Sequence, residues 1–223
     1  KPQSAFFERH GSAGIAVLEE TLAALRDVGT LSVLDVKRGD IGSTMAGYAQ
    51  AYLSDGAPLA ADSITVSPYL GYGSLAPALD LAEAGGRGVF VLALTSNPEG
   101  TTVQHAVSGE RAVAAEVVEG VTASNAAARG EGGLGSIGLV VGATVGEAVS
   151  RLGIDLLRAN GPLLAPGVGA QGAGATELES VFGPARRHVL ASTSRGVLKA
   201  GPSIEALRAA ALAATHEAAA ALR

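Results

Sequence analysis

The sequence predicts an α/β fold on a parallel sheet, and more narrowly a (β/α)8 TIM barrel. Three observations predict it. Apolar, β-branched runs recur along the chain, each followed by a stretch of helical spacing, and alternating strands and helices imply parallel pairing. The runs are continuous rather than alternating polar and apolar, as strands read when both faces are covered. The glycine-rich segments fall late, as "PGVGAQG" from Pro166 and "SRG" from Ser194. A doubly wound sheet would carry such a loop after its first strand, whereas a barrel often binds phosphate with the loops after its last two.

In chain order, the predicted strands are residues 31–36, 63–67, 88–94, 137–142, 162–165 and 188–192. The predicted helices are residues 13–28, 44–53, 75–84, 110–128, 145–158, 176–182 and 204–222, the last reading as barrel wrapping. "KPQ" at Lys1 reads as the tail of a seventh strand. A barrel then needs one more strand, with its helix, upstream. The chain starts at Lys1 without a Met and has 223 residues, where a barrel usually has ~250. The expectation is a single barrel domain over residues 1–223, N-terminally incomplete, with its first strand and helix missing.

Composition narrows the function. Apolar residues make up 48% and charged residues 17%, enough for a sizeable core and too apolar for disorder. A net charge of −5 argues against nucleic acid as a partner, since that footprint is usually basic. With no cysteine, disulfides, thiol nucleophiles and thiolate metal sites are excluded. His10, His105, His188 and His216 lack metal-ligand spacing, and His10, His105 and His216 read as surface residues. No apolar run reaches the ~20 residues of a membrane span, and no signal peptide is visible. The expected location is cytoplasmic, with no membrane partner.

The stretch "LSVLDVKRGDIGST" crowds charge onto the end of an apolar run. Side chains alternate along a strand, so Asp35 and Lys37 share one face and Leu34 and Val36 the other. Asp40 falls just past the strand, near Lys37 or reaching across a subunit interface. Unpaired buried charges are costly, so these groups are expected to form a network. At ~5% usage per residue, Asp-x-Lys-x-x-Asp arises by chance in roughly 3% of chains this long. The spacing gains weight from its place at the end of a buried parallel strand, where barrels hold their chemistry.

"DVKRGDI" resembles the Asp-x-Lys-x-x-Asp-Ile signature of the orotidine 5'-phosphate decarboxylases. "KPQSAFFE" at Lys1 resembles that family's second strand, and "TSNPEG" at Thr95 the loop after its fifth. "PGVGAQG" and "SRG" resemble its phosphate loops. "SPYLGYGSL" at Ser67 is similar to the bacterial branch rich in Ala and Gly.

The resemblance implies conversion of orotidine 5'-monophosphate to uridine 5'-monophosphate and CO2, with no metal and no cofactor. It implies Lys37 as proton donor, Asp35 beside the substrate carboxylate, Lys1 linking Asp35 to the ribose, and a homodimer in which Asp40 pairs with Lys37 of the partner. Ile41 would line an apolar wall and Thr44 touch a ribose hydroxyl, both across the dimer; otherwise Ile41 is interface packing and Thr44 a helix N-cap. Ser96 would read the pyrimidine edge; otherwise it is a turn serine. Gln171 and Arg195 would hold the phosphate, with Pro166, Val168 and Gly196 also binding substrate, and Gly167, Gly169 and Gly172 permitting close approach. Without that role Arg195 is a solvated helix start. Tyr69 and Tyr72 read as wall packing. Two alternatives stand beside this: a Mg-dependent sugar-phosphate decarboxylase or aldolase of the same superfamily, and a non-catalytic nucleotide-binding barrel.

Overall fold

The computed structural model describes residues 1–168 and 173–222. Two compact units divide the chain: Lys1–Leu92 with Ala127–Gly138, and Ala93–Ala126 with Leu139–Arg223.

The first unit holds strands β1 (Val33–Arg38), β2 (Ser63–Val66) and most of β3 (Gly88–Leu94); β2 and β3 begin where the apolar runs predict, whereas β1 begins at Val33, two residues later. They pair in parallel, Leu34 against Ile64 and Ile64 against Val89. Leu34, Ile64, Val66, Val89 and Val91 are all essentially buried. Helix Gly11–Asp27 ends where Gly29 turns left-handed (φ +69°). There Gly29 N–H donates to the Arg26 carbonyl and Thr30 N–H to that of Leu25, a Schellman closure. Helix Gly42–Leu53 buries Met45, Ala49, Tyr52 and Leu53, one face at helical spacing. β1 runs two residues further than predicted, so Lys37 and Arg38 belong to the strand itself. The "KPQ" segment lies along β1 through a parallel bridge from Gln3 to Asp35.

The second unit opens with a short hairpin, β4 (Val107–Ser108) and β5 (Arg111–Ala112). Its strands β6 (Ile137–Val141), β7 (Leu163–Pro166) and β8 (Val189–Ser192) pair in parallel. Val117, Val118, Val121, Leu139, Leu163 and Leu178 fill its core.

Three predicted helices differ. The stretch from 110 begins as β5, because Gly109 (φ +66°) turns the chain back on itself. It breaks again at Asn125, a buried residue whose side-chain amide donates to the Ala159 carbonyl. What remains is Val113–Ser124 and Ala126–Gly130. Residues 145–158 hold only the helix Ala148–Arg151, bounded by left-handed Gly146 and Gly153. Helix Ile204–Ala221 forms as expected but buries none of its side chains, so it is not a core-covering helix. Its inner stripe is mostly alanine, Ala206, Ala210, Ala214 and Ala218, and these remain half-buried. Tyr69 is 78% exposed rather than packed into a wall. Among the described residues no helix is long and apolar enough to cross a membrane.

Candidate functional site

The first unit gathers two of the predicted residues, Lys1 and Lys37, around the carboxylate of a third, Asp35. Asp35 Oδ2 accepts from Lys1 Nζ at 2.6 Å and from Gln3 Nε2 at 2.9 Å. Asp35 Oδ1 accepts from Lys37 Nζ and from the Thr65 hydroxyl, the latter at 2.8 Å. The first residues are fastened to β1 by backbone as well, Asp35 N–H donating to the Pro2 carbonyl at 2.9 Å and Ser4 N–H to that of Asp35 at 3.2 Å. The Asp35 side chain is 8% exposed and that of Lys37 44%, so the ammonium reaches solvent while resting on a buried anion.

Asp35 and Lys37 meet as expected, but not through regular strand alternation. β1 is irregular there: Leu34 pairs with Ile64 and Arg38 with Val66. Asp35, Val36 and Lys37 therefore stand opposite Thr65 alone. Lys37 absorbs the surplus by adopting φ +46°, a left-handed conformation that costs a lysine ~1–3 kcal/mol. Its N–H donates to Thr65 Oγ1 at 3.0 Å instead of to a strand carbonyl. Arg38 turns away to form an ion pair with Glu8 at 2.6 Å, its guanidinium 5.6 Å from the Tyr48 ring centre and 6.0 Å from that of Tyr52.

Asp40 does not join this cluster. Its Oδ1 accepts from the Ile41 N–H at 2.8 Å, and among the described residues it has no ion pair. Ile41 is 62% exposed and N-caps the helix Gly42–Leu53, so Thr44 lies in the first turn and is not the cap. Gly39 sets the path between Arg38 and Asp40, since a Cβ there would stand 2.3 Å from the Ser67 carbonyl oxygen. Gly39→Ala is expected to lower stability by about 1–3 kcal/mol, the usual cost of overpacking, read as a lower urea midpoint.

Burial pushes the Asp35 carboxyl up, but hydrogen bonds from Lys1 and Lys37 and their positive charges outweigh it, and the group titrates below its ordinary value. A lowered carboxyl binds fewer protons folded than unfolded. Its stabilisation is therefore complete above the unfolded value, about 3.9, and fades as pH falls through the lowered one. Urea midpoints are expected to decline below about pH 4 in the wild type and to decline less steeply in Asp35→Asn; parallel pH curves would refute this.

The second unit holds the remaining predicted residues. Ser96 is exposed directly after β3, and Gly142 packs against it, a Cβ at Gly142 falling 3.1 Å from the Ser96 nitrogen. Ser96 lies in a pinned loop: Thr95 N–H donates to Gln104 Oε1 at 2.9 Å, and the Thr95 hydroxyl to Asn97 Oδ1 at 2.7 Å. Pro166 ends β7 opposite Ser192, and Gly167 (φ +99°) donates its N–H to the Ser192 carbonyl at 3.3 Å. Val168 is buried and bridges to Ala173. Gln171, with Gly169 and Gly172, lies outside the described residues. Arg195 and Gly196 open the short helix Arg195–Leu198, with Arg195 exposed and, among the described residues, in no ion pair.

Gln3 and Thr65 are the participants that sequence reasoning misses. Gln3 sits in the quoted "KPQ", two residues from Lys1. Thr65 is a lone hydroxyl in an apolar strand and gives no signal beyond its polarity.

A model of the orotidine 5'-phosphate decarboxylase / HUMPS family matches residues 1–210. An orotidine 5'-phosphate decarboxylase from Salinispora arenicola is 61% identical over 212 residues, 95% of this chain and 74% of that protein. One from Streptomyces coelicolor is 60% identical over 213 residues, with the same coverage. A crystal structure from Streptomyces avermitilis aligns at TM-score 0.91 and 58% identity, covering 99% of this chain and 75% of that one. The Leishmania donovani OMP decarboxylase structure aligns at TM-score 0.78 and 33% identity, covering 99% and 79%. The strands and helices are those of a (β/α)8 barrel, and the chain belongs to the orotidine 5'-phosphate decarboxylase / HUMPS family.

Proposed function

We propose that this chain decarboxylates orotidine 5'-monophosphate to uridine 5'-monophosphate in pyrimidine biosynthesis, with Lys37 as the proton donor. The observation that carries the reading is the Lys1–Asp35–Lys37 cluster, held by Gln3 and Thr65, in a chain of this family.

The hard step breaks the bond between the pyrimidine ring and its carboxylate. CO2 departs and the bonding electrons remain on the ring carbon, with little delocalisation. The Lys37 ammonium faces that charge as it develops and then delivers a proton to the carbon, becoming a neutral amine. Asp35, kept anionic by its donors, lies beside the substrate carboxylate and disfavours it before it leaves. Because Lys1, Gln3 and Thr65 already orient Asp35, little rearrangement is needed during the reaction. Arg195, Gln171, Gly196, Pro166 and Val168 receive the phosphate end, and Ser96 the pyrimidine edge.

The dimer belongs to the same proposal. Exposed Ile41 and Thr44, and Asp40 without an ion pair among the described residues, suit groups that complete a partner's site. The proposed location is the cytoplasm.

The direct test adds the purified protein to orotidine 5'-monophosphate and follows loss of the orotate absorbance. Turnover that persists in a chelator is expected. No turnover of the nucleotide refutes the reading, and Mg-dependent turnover of a sugar phosphate then separates the metal-dependent class from a binding-only barrel.

A further inference from the structure

We infer that Thr65 is a positioning residue for the proposed decarboxylation, its one hydroxyl setting both the Asp35 carboxylate and the backbone of Lys37; the inference rests on the reading above. Thr65 is 1% exposed and stands between Ile64 and Val66, both fully buried. A hydroxyl in such surroundings is costly unless both its donor and acceptor capacities are used. Here both are. The hydroxyl donates to Asp35 Oδ1 at 2.8 Å and accepts the Lys37 N–H at 3.0 Å.

Those two bonds meet the two liabilities of the strand end. The irregular pairing of β1 with β2 places three residues opposite Thr65, so the Lys37 N–H lacks its place in the ladder. Lys37 also carries a left-handed backbone that needs outside support to persist. The oxygen that accepts the Thr65 hydrogen bond is the one that holds the Lys37 ammonium. The hydroxyl thus grips Lys37 at its amide and, through Asp35 Oδ1, at its charged end. Valine would fill the same space and supply neither bond.

The experiment measures kcat and KM for orotidine 5'-monophosphate with wild type, Thr65→Ser, Thr65→Ala and Thr65→Val. Thr65→Ala and Thr65→Val are expected to lose about 10- to 100-fold in kcat, as small misplacements of reacting groups do, with KM nearly unchanged. Thr65→Ser is expected to restore most of that loss. Ser and Ala variants both lack the methyl group and differ only in the hydroxyl, so equal losses in the two would overturn the inference, as would wild-type kcat in Thr65→Ala. Should Thr65→Val and Thr65→Ala fail to fold, Thr65→Ser decides alone: near-wild-type kcat supports the assignment and a loss of tenfold or more overturns it. An inactive wild type sinks the decarboxylase reading and this inference together, whereas an active wild type with an indifferent Thr65→Ala sinks the inference only.

Discussion

Lys37→Ala is expected to abolish turnover while leaving a folded protein that still binds uridine 5'-monophosphate. The substitution removes the proposed proton donor and the cation facing the developing carbanion. Proton transfer and electrostatic stabilisation each contribute some orders of magnitude, so kcat should fall by at least ~10⁴-fold. The fold should survive for a visible reason. Asp35 keeps three of its four donors, from Lys1, Gln3 and Thr65. The lysine side chain is itself 44% exposed, so its removal opens no internal cavity. Alanine inherits the left-handed backbone at position 37 at a similar cost. Circular dichroism and a nucleotide titration separate the outcomes: folded, binding and inactive is expected, and appreciable residual turnover would contradict the proton-donor assignment.

Arg195→Ala is expected to lower kcat/KM by about 10²–10³-fold, the worth of a forked pair of charge-assisted hydrogen bonds to phosphate. The side chain is exposed and, among the described residues, in no ion pair, so the melting temperature should hardly move. The phosphate is remote from the bond that breaks, and its binding energy can be expressed at the transition state, so kcat should suffer along with KM. Orotidine, which lacks the phosphate, supplies the control: wild type and variant should handle it alike. An unchanged kcat/KM with the nucleotide would discredit the assignment.

How much of this is legible in the sequence differs by element. Strands read well where they are short apolar runs buried on both faces, as β2 and β6 are; residues 88–94 match β3 in full. Helices read badly where glycine intervenes, since Gly109, Gly146 and Gly153 take positive φ and turn the chain whatever the surrounding propensity. Ile204–Ala221 is periodic enough to be found, but its alanine stripe says nothing of how shallowly it lies. At the site, Asp35 and Lys37 are legible because charge at the end of an apolar strand needs an explanation. Their meeting through a left-handed residue is not, because strand alternation presumes regular pairing and a register change leaves no mark in composition. Thr65 is hidden for a related reason: threonine is common in strands, and only the pairing shows which backbone amide it serves.

The Asp35 cluster also ties together stretches far apart in the chain. Lys1 and Gln3, β1 at Lys37, and β2 at Thr65 all end on one carboxylate. Loosening any one of them exposes a buried anion short of donors, which weakens the hold on the others. The opening segment and the first two strands should therefore yield to solvent as a single cooperative unit, their amides exchanging hydrogen on a shared timescale although more than thirty residues separate them.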